Sequence, residues 1–159
     1  MKMMTSLALA LLASAPVWAQ DAEPSIATMY FEAYERMDLE TMESLLAEDA
    51  VFTDRGSGDQ PGGPYHYEGR AAIMAAMTSF SEQYGLYRIH YDRVMAYESS
   101  GQAVFAGEVE ARWHRPDGQD NIWRGDVVTA IRVVDGQVIE HLDMPDYHGG
   151  TGSVGESLQ

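Results

Sequence analysis

The sequence predicts an α+β domain in which about three N-terminal helices gather against one face of an antiparallel sheet. Three observations predict it. Apolar residues recur at helical spacing as far as Tyr84, the period switches to two from Leu86 onward, and three turn signals cut the second half into four strands.

The helices come first. Ile26, Met29, Tyr30, Ala33, Tyr34 and Met37 repeat at three and four residues, one face of an α-helix. Asp38 breaks that pattern and is suited to cap a second helix over residues 39–46 through its short acceptor side chain. Residues 50–54 are rich in β-formers and predict a strand, and the glycines and prolines of residues 56–64 make a loop. A third helix, between Gly69 and Gly85, presents Ile73, Met77, Phe80 and Tyr84 as its buried stripe. Then Tyr87, Ile89, Tyr91, Met95 and Tyr97 alternate against Arg88, His90 and Asp92. Ser99-Ser100-Gly101, Arg115-Pro116-Asp117-Gly118 and Asp135-Gly136 are the three turns, the last a strong two-residue hairpin signal. The domain ends near residue 148, and residues 149–159, with four glycines and little to bury, are expected to be a mobile tail.

Residues 1–19 have the layout of a secretory leader: Lys2, an apolar run over residues 7–13, and the small-residue pattern Val17-Trp18-Ala19. The run is shorter than the roughly 20 residues a membrane span needs, so the expected product starts near Gln20 and is secreted or periplasmic, with no membrane span. All 25 acidic residues lie beyond the leader, and the formal net charge of the chain is −15. Such a field excludes nucleic acid and repels anionic lipid and highly charged anionic substrates, although a local arginine could hold one carboxylate. There is no cysteine, hence no disulfide and no thiol nucleophile, and Lys2 is the only lysine, which removes Schiff-base chemistry from the mature part.

Tyr30, Asp38-Leu39, the run Ala47-Glu48-Asp49-Ala50-Val51, Glu68-Gly69-Arg70-Ala71-Ala72-Ile73 and Asp135-Gly136-Gln137-Val138-Ile139 together resemble the nuclear transport factor 2 superfamily. The likeness is to its SnoaL-like and ketosteroid-isomerase-like branch and extends from Ile26 to about His148. The resemblance implies a cone, also called cystatin-like, in which a bent sheet wraps the helices around a largely apolar pocket for a small organic molecule. Members include isomerases, cyclases, epoxide hydrolases and proteins without catalysis, so fold alone does not fix activity. Matched to the isomerase pattern, Tyr30 falls on the tyrosine that donates to a developing oxyanion and Asp54 on the aspartate that shuttles the proton. The second, acidic oxyanion donor of that pattern would align near Thr129 or Val128, neither of which is an acid.

The residues themselves leave alternatives open. Asp54 shares strand parity with Phe52 and can be a desolvated general base, or it can initiate the glycine-rich turn that follows. Tyr34, Phe52, Tyr91, Met95, Trp113 and Thr129 are the expected ligand-binding wall. A second set, Arg124, Asp126, His141 and Asp143, resembles the arginine and paired aspartates of limonene epoxide hydrolase. Counting back from a two-residue turn at Asp135-Gly136 puts Ala130 opposite His141 and Val128 opposite Asp143, so all four fall on the outer face unless a β-bulge inverts the parity. That outer face is also the expected homodimer surface. His141, Asp143, Asp146 and His148 match no established metal-ligand spacing, and the acid/base chemistry expected here needs neither metal nor cofactor.

Overall fold

The computed structural model describes residues 23–158, so the expected leader and its cleavage near Gln20 lie outside the described residues. Helix α1, Ile26–Arg36, starts where the Ser25 side chain accepts from the Thr28 N–H and ends at Met37 in the left-handed conformation. Asp38 then caps α2, Leu39–Leu45, by accepting from the Thr41 N–H at 3.2 Å. Strand β1, Leu46–Asp54, leads through the loop to a short strand β2, His66–Glu68, and to α3, Arg70–Glu82. Four long strands follow, β3 Leu86–Ser99, β4 Gln102–His114, β5 Gln119–Val134 and β6 Gln137–Pro145, and a short β7, Thr151–Glu156, closes the chain. The hairpin turns are tight because Ser100-Gly101 and Asp135-Gly136 both take positive φ, matching the twist of the flanking strands.

The strands form one curved, open sheet in the order β2-β1-β6-β5-β4-β3, with β7 added alongside β5. It is antiparallel except for one pair: β1 runs parallel to β6, with Asp54 opposite Asp143. Helix α1 packs on β3 to β6 and α3 covers β1 to β3. Tyr30, Phe31, Ala33, Met42, Leu46, Ile73, Ile131 and Val138 form the driest part of the core between them. Burying each of the larger ones contributes about 1.5–3 kcal/mol.

Three expectations are corrected, two of them for a reason of register. Ile139 is an extra residue on β6, because Arg132 pairs with Glu140 while Val133 pairs with Val138. The bulge turns His141 and Asp143 inward, opposite Ile131 and Thr129, and leaves Arg124 and Asp126 outside. Val94 is an extra residue on β3, so Met95 and Tyr97 point away from the core and are exposed. Gly107 permits that kink, since a Cβ there would sit 2.1 Å from the Asp92 carbonyl oxygen. The glycine-rich tail, finally, is not free. Residues 151–156 pair with β5 from Gln119 to Arg124, satisfying backbone groups that β6, which pairs only from Val127 onward, leaves open.

Candidate active site

Curvature of the sheet over α3 leaves a cavity of about 930 Å³, within the size range that takes a small organic ligand. Its wall is mostly aromatic and aliphatic: Tyr34 from α1, Phe52 from β1, Phe80 from α3, Tyr91 from β3, Trp113 from β4 and Trp123 from β5 are among the rings. Asp54 and Asp143 are the only charged side chains on it among the described residues.

Asp54 occupies the last position of β1, and alternation from Ala50 through Phe52 turns it to the buried side. Its two oxygens do different work. Oδ1 accepts from the Gly56 N–H at 2.9 Å, which is the turn-initiating role, while Oδ2 accepts from the Tyr147 hydroxyl at 2.6 Å on the cavity wall. Burial raises its pKa above the ordinary value, the Tyr147 hydrogen bond opposes that, and the charge of Asp143 adds to the rise.

Asp143 is its neighbour across the parallel β1–β6 pair, about 4.8 Å away at the backbone. It is 5% exposed and encircled: His141 Nε2 lies 2.9 Å from Oδ1, the Thr129 hydroxyl donates to the same oxygen, and the Tyr34 hydroxyl donates to Oδ2 at 2.9 Å. Burial alone would favour the neutral acid, but the pairing with His141 and these hydrogen bonds hold its pKa below the ordinary value. The two carboxyls are thus driven apart, one kept ionised and the other kept basic.

The expected site residues divide accordingly. Tyr34, Phe52, Asp54, Tyr91, Trp113 and Asp143 line the cavity. Thr129 and His141 lie behind Asp143 and position it; Thr129 also contacts the Tyr91 hydroxyl at 2.7 Å. Met95 is on the opposite face. Tyr30, expected as oxyanion donor, is fully buried away from the cavity, with its hydroxyl 3.2 Å from His141 Nδ1, so it cannot reach a ligand. Arg124 is committed to Glu110 and Asp126 is exposed, so the four-residue hydrolase set does not assemble. Among the described residues no group of three or more metal-ligating side chains converges.

Sequence reasoning missed Tyr147 and Tyr67. Tyr147 lies beyond the end of β6, where alternation no longer applies, within a turn that the Asp146 side chain closes by accepting from the Gly149 N–H, and its hydroxyl lies over Asp54. Tyr67 sits on β2, paired with Phe52, and its hydroxyl has no hydrogen-bond partner among the described residues. Burial first, and the Asp54 charge second, raise its pKa, so it stays a protonated donor.

A family model described as a SnoaL-like domain matches residues 27–141. No curated protein is similar in sequence. Solved structures share the fold. A Shewanella denitrificans protein provisionally named a SnoaL-like polyketide cyclase superposes with a TM-score of 0.64 at 18% identity, covering 78% of this chain and 90% of the other. A nuclear transport factor 2-like protein of Burkholderia xenovorans gives 0.59 at 21% identity over 78% and 88%. An LEH-like epoxide hydrolase of M. tuberculosis gives 0.59 at 12% identity over 78% and 82%. At these identities the likeness is one of fold.

Proposed function

The chain belongs to the SnoaL-like domain family, and from that premise we propose that it is a cofactor-independent acid/base enzyme of the isomerase or cyclase type, acting on a small, mostly apolar organic molecule. The observation that carries this reading is the Asp54–Asp143 pair on the cavity wall, two adjacent carboxyls whose surroundings push their proton affinities in opposite directions. Asp143, held ionised, supplies a fixed negative field. Asp54, with its affinity raised, is the group that exchanges a proton.

In the proposed step an Asp54 carboxylate oxygen takes a proton from a carbon next to a substrate carbonyl. The C–H bond breaks, the electron pair moves onto the carbonyl oxygen, and the proton is returned to the rearranged skeleton from Asp54. The Tyr67 hydroxyl, protonated and without a partner among the described residues, is the donor to the oxygen as charge develops. Tyr147 steadies Asp54 through its 2.6 Å hydrogen bond, a positioning role. Export to the periplasm or medium is supported by the leader pattern of residues 1–19 alone. Self-association through the outer sheet face is supported by Val134 and Met144, both exposed there, and gel filtration with light scattering tests it.

The test is hydrogen exchange on a panel of cyclic ketones in deuterium oxide, read by mass spectrometry. Exchange is expected with the unmodified protein and falls by about 10²–10⁴-fold in Asp54→Asn, with ligand affinity nearly kept because the shapes match. Ligand binding with no exchange in either protein would instead identify a binding module, the non-catalytic alternative.

A further inference from the structure

We infer that the cavity selects ligands carrying a positively charged nitrogen, an alkylammonium or a protonated ring nitrogen, on an apolar ring body. The inference rests on the same cavity as the acid/base reading and adds the charge of its occupant. No arginine, lysine or histidine lines that cavity among the described residues, whereas two aspartates do. Of the arginines on β3 to β6 and their turns, Arg88 occupies an exposed place beside the inward-facing Ile89 and so points away from the cavity, and the rest are held in ion pairs. Arg93 is paired with Glu35, Arg112 with Glu110 and Asp120, Arg115 with Asp117, Arg124 with Glu110, and Arg132 with Glu140.

The consequences for a ligand differ by charge. A carboxylate or phosphate would enter a low-dielectric space beside two acids with no counter-charge, inside a chain whose formal charge is −15. A neutral ligand avoids that penalty and can donate one hydrogen bond to Asp54, whose two observed donors occupy only part of about four lone-pair sites, but it brings no charge to pair with the two carboxyls. An ammonium group answers both needs. It donates to the carboxyl and lies against the negative faces of Tyr34, Tyr67, Tyr91, Trp123 and Tyr147, the aromatic surroundings in which organic cations are held.

Titration calorimetry of the purified protein near neutral pH, with tryptamine, tryptophol and indoleacetate as probes, tests this. The three share an indole body and differ chiefly in the charge of the side group. Tryptamine is expected to bind about tenfold or more tightly than tryptophol, and indoleacetate not measurably. In Asp54→Asn the gap between tryptamine and tryptophol should narrow while tryptophol affinity stays as it was. Equal affinities, a preference for indoleacetate, or binding of none of the three at millimolar concentration would overturn the inference. The ketone exchange experiment reads the other proposal separately: exchange lost in Asp54→Asn together with tryptophol outranking tryptamine would sink the charge selectivity and leave the acid/base reading standing.

Discussion

Asp54 on the cavity wall and Asp120 in the polar cluster beneath β7 are both buried, and their surroundings act on them in opposite ways. Asp120, with no exposed surface, accepts from the Tyr87 hydroxyl at 2.5 Å, the Ser157 hydroxyl at 2.7 Å and Arg112 at 3.4 Å, and lies 3.1 Å from His114 Nδ1. Burial would raise its pKa, yet these partners bring it down to about 2. Arg112 also pairs with Glu110 and donates to the Glu156 carbonyl, so the cluster locks the C-terminal strand onto β4 and β5. At the cavity, by contrast, Asp54 has no cationic partner among the described residues and its affinity for a proton goes up. Matched donors keep a buried carboxylate ionised and fixed in place, as at Asp120 and Asp143; one left short of them on an open wall, as Asp54 is, has acceptor sites to offer a ligand.

The same chemical change should therefore have opposite effects at the two places. Asp120→Asn removes the charge that Arg112 faces and is expected to cost about 2 kcal/mol, read as a lower melting temperature. Asp54→Asn relieves a buried charge beside Asp143 and is expected to raise stability at neutral pH by about 1 kcal/mol. A fall in melting temperature of equal size at both positions would break the comparison.

Acid unfolding sharpens it. Asp120 has a folded pKa of about 2 against an ordinary 3.8, so its stabilisation is fully present above 3.8 and is lost as pH falls through about 2. Asp143, also lowered, contributes with the same sign. Asp54 is raised, so its contribution is present below its ordinary value and disappears as pH rises through the folded one. Melting curves of Asp120→Asn and the unmodified protein should converge in acid; those of Asp54→Asn should separate from the parent only as pH rises. Smaller still, Tyr147→Phe removes a donor to the Asp54 carboxylate and should move that carboxyl's NMR titration midpoint further up. Tyr30→Phe, which touches His141 and not the cavity, should cost about 1 kcal/mol in stability and leave ligand affinity unchanged.

Much of this architecture is legible in the chain because it is local. Helical spacing over Ile26 to Met37, the Asp38 cap and the hairpin turns each involve residues a few positions apart, and all three appear in the structure. Asp54 on the buried side of its strand was legible for the same reason. What escapes a local reading is register. The extra residues Val94 and Ile139 carry no distinctive sequence mark, and each inverts every position beyond it, which is why Met95 leaves the wall and His141 and Asp143 join the interior. The parallel union of β1 with β6 joins segments some ninety residues apart in the chain, and no periodicity within either one foretells it.

The bulge at Ile139 makes the character of this cavity a matter of counting. Were Ile139 paired regularly instead of bulged out, Glu140 would face Ile131 and Leu142 would face Thr129, so the places of His141 and Asp143 would pass to a glutamate and a leucine. Loss of Ile139 would leave His141 and Asp143 facing inward, because the bulge already carries it as the extra residue, whereas a residue gained there with no second bulge to absorb it would turn both out of the cavity. Within this fold, specificity can be inherited as the length of a strand, and two descendants that differ by one inserted residue could prefer quite different guests.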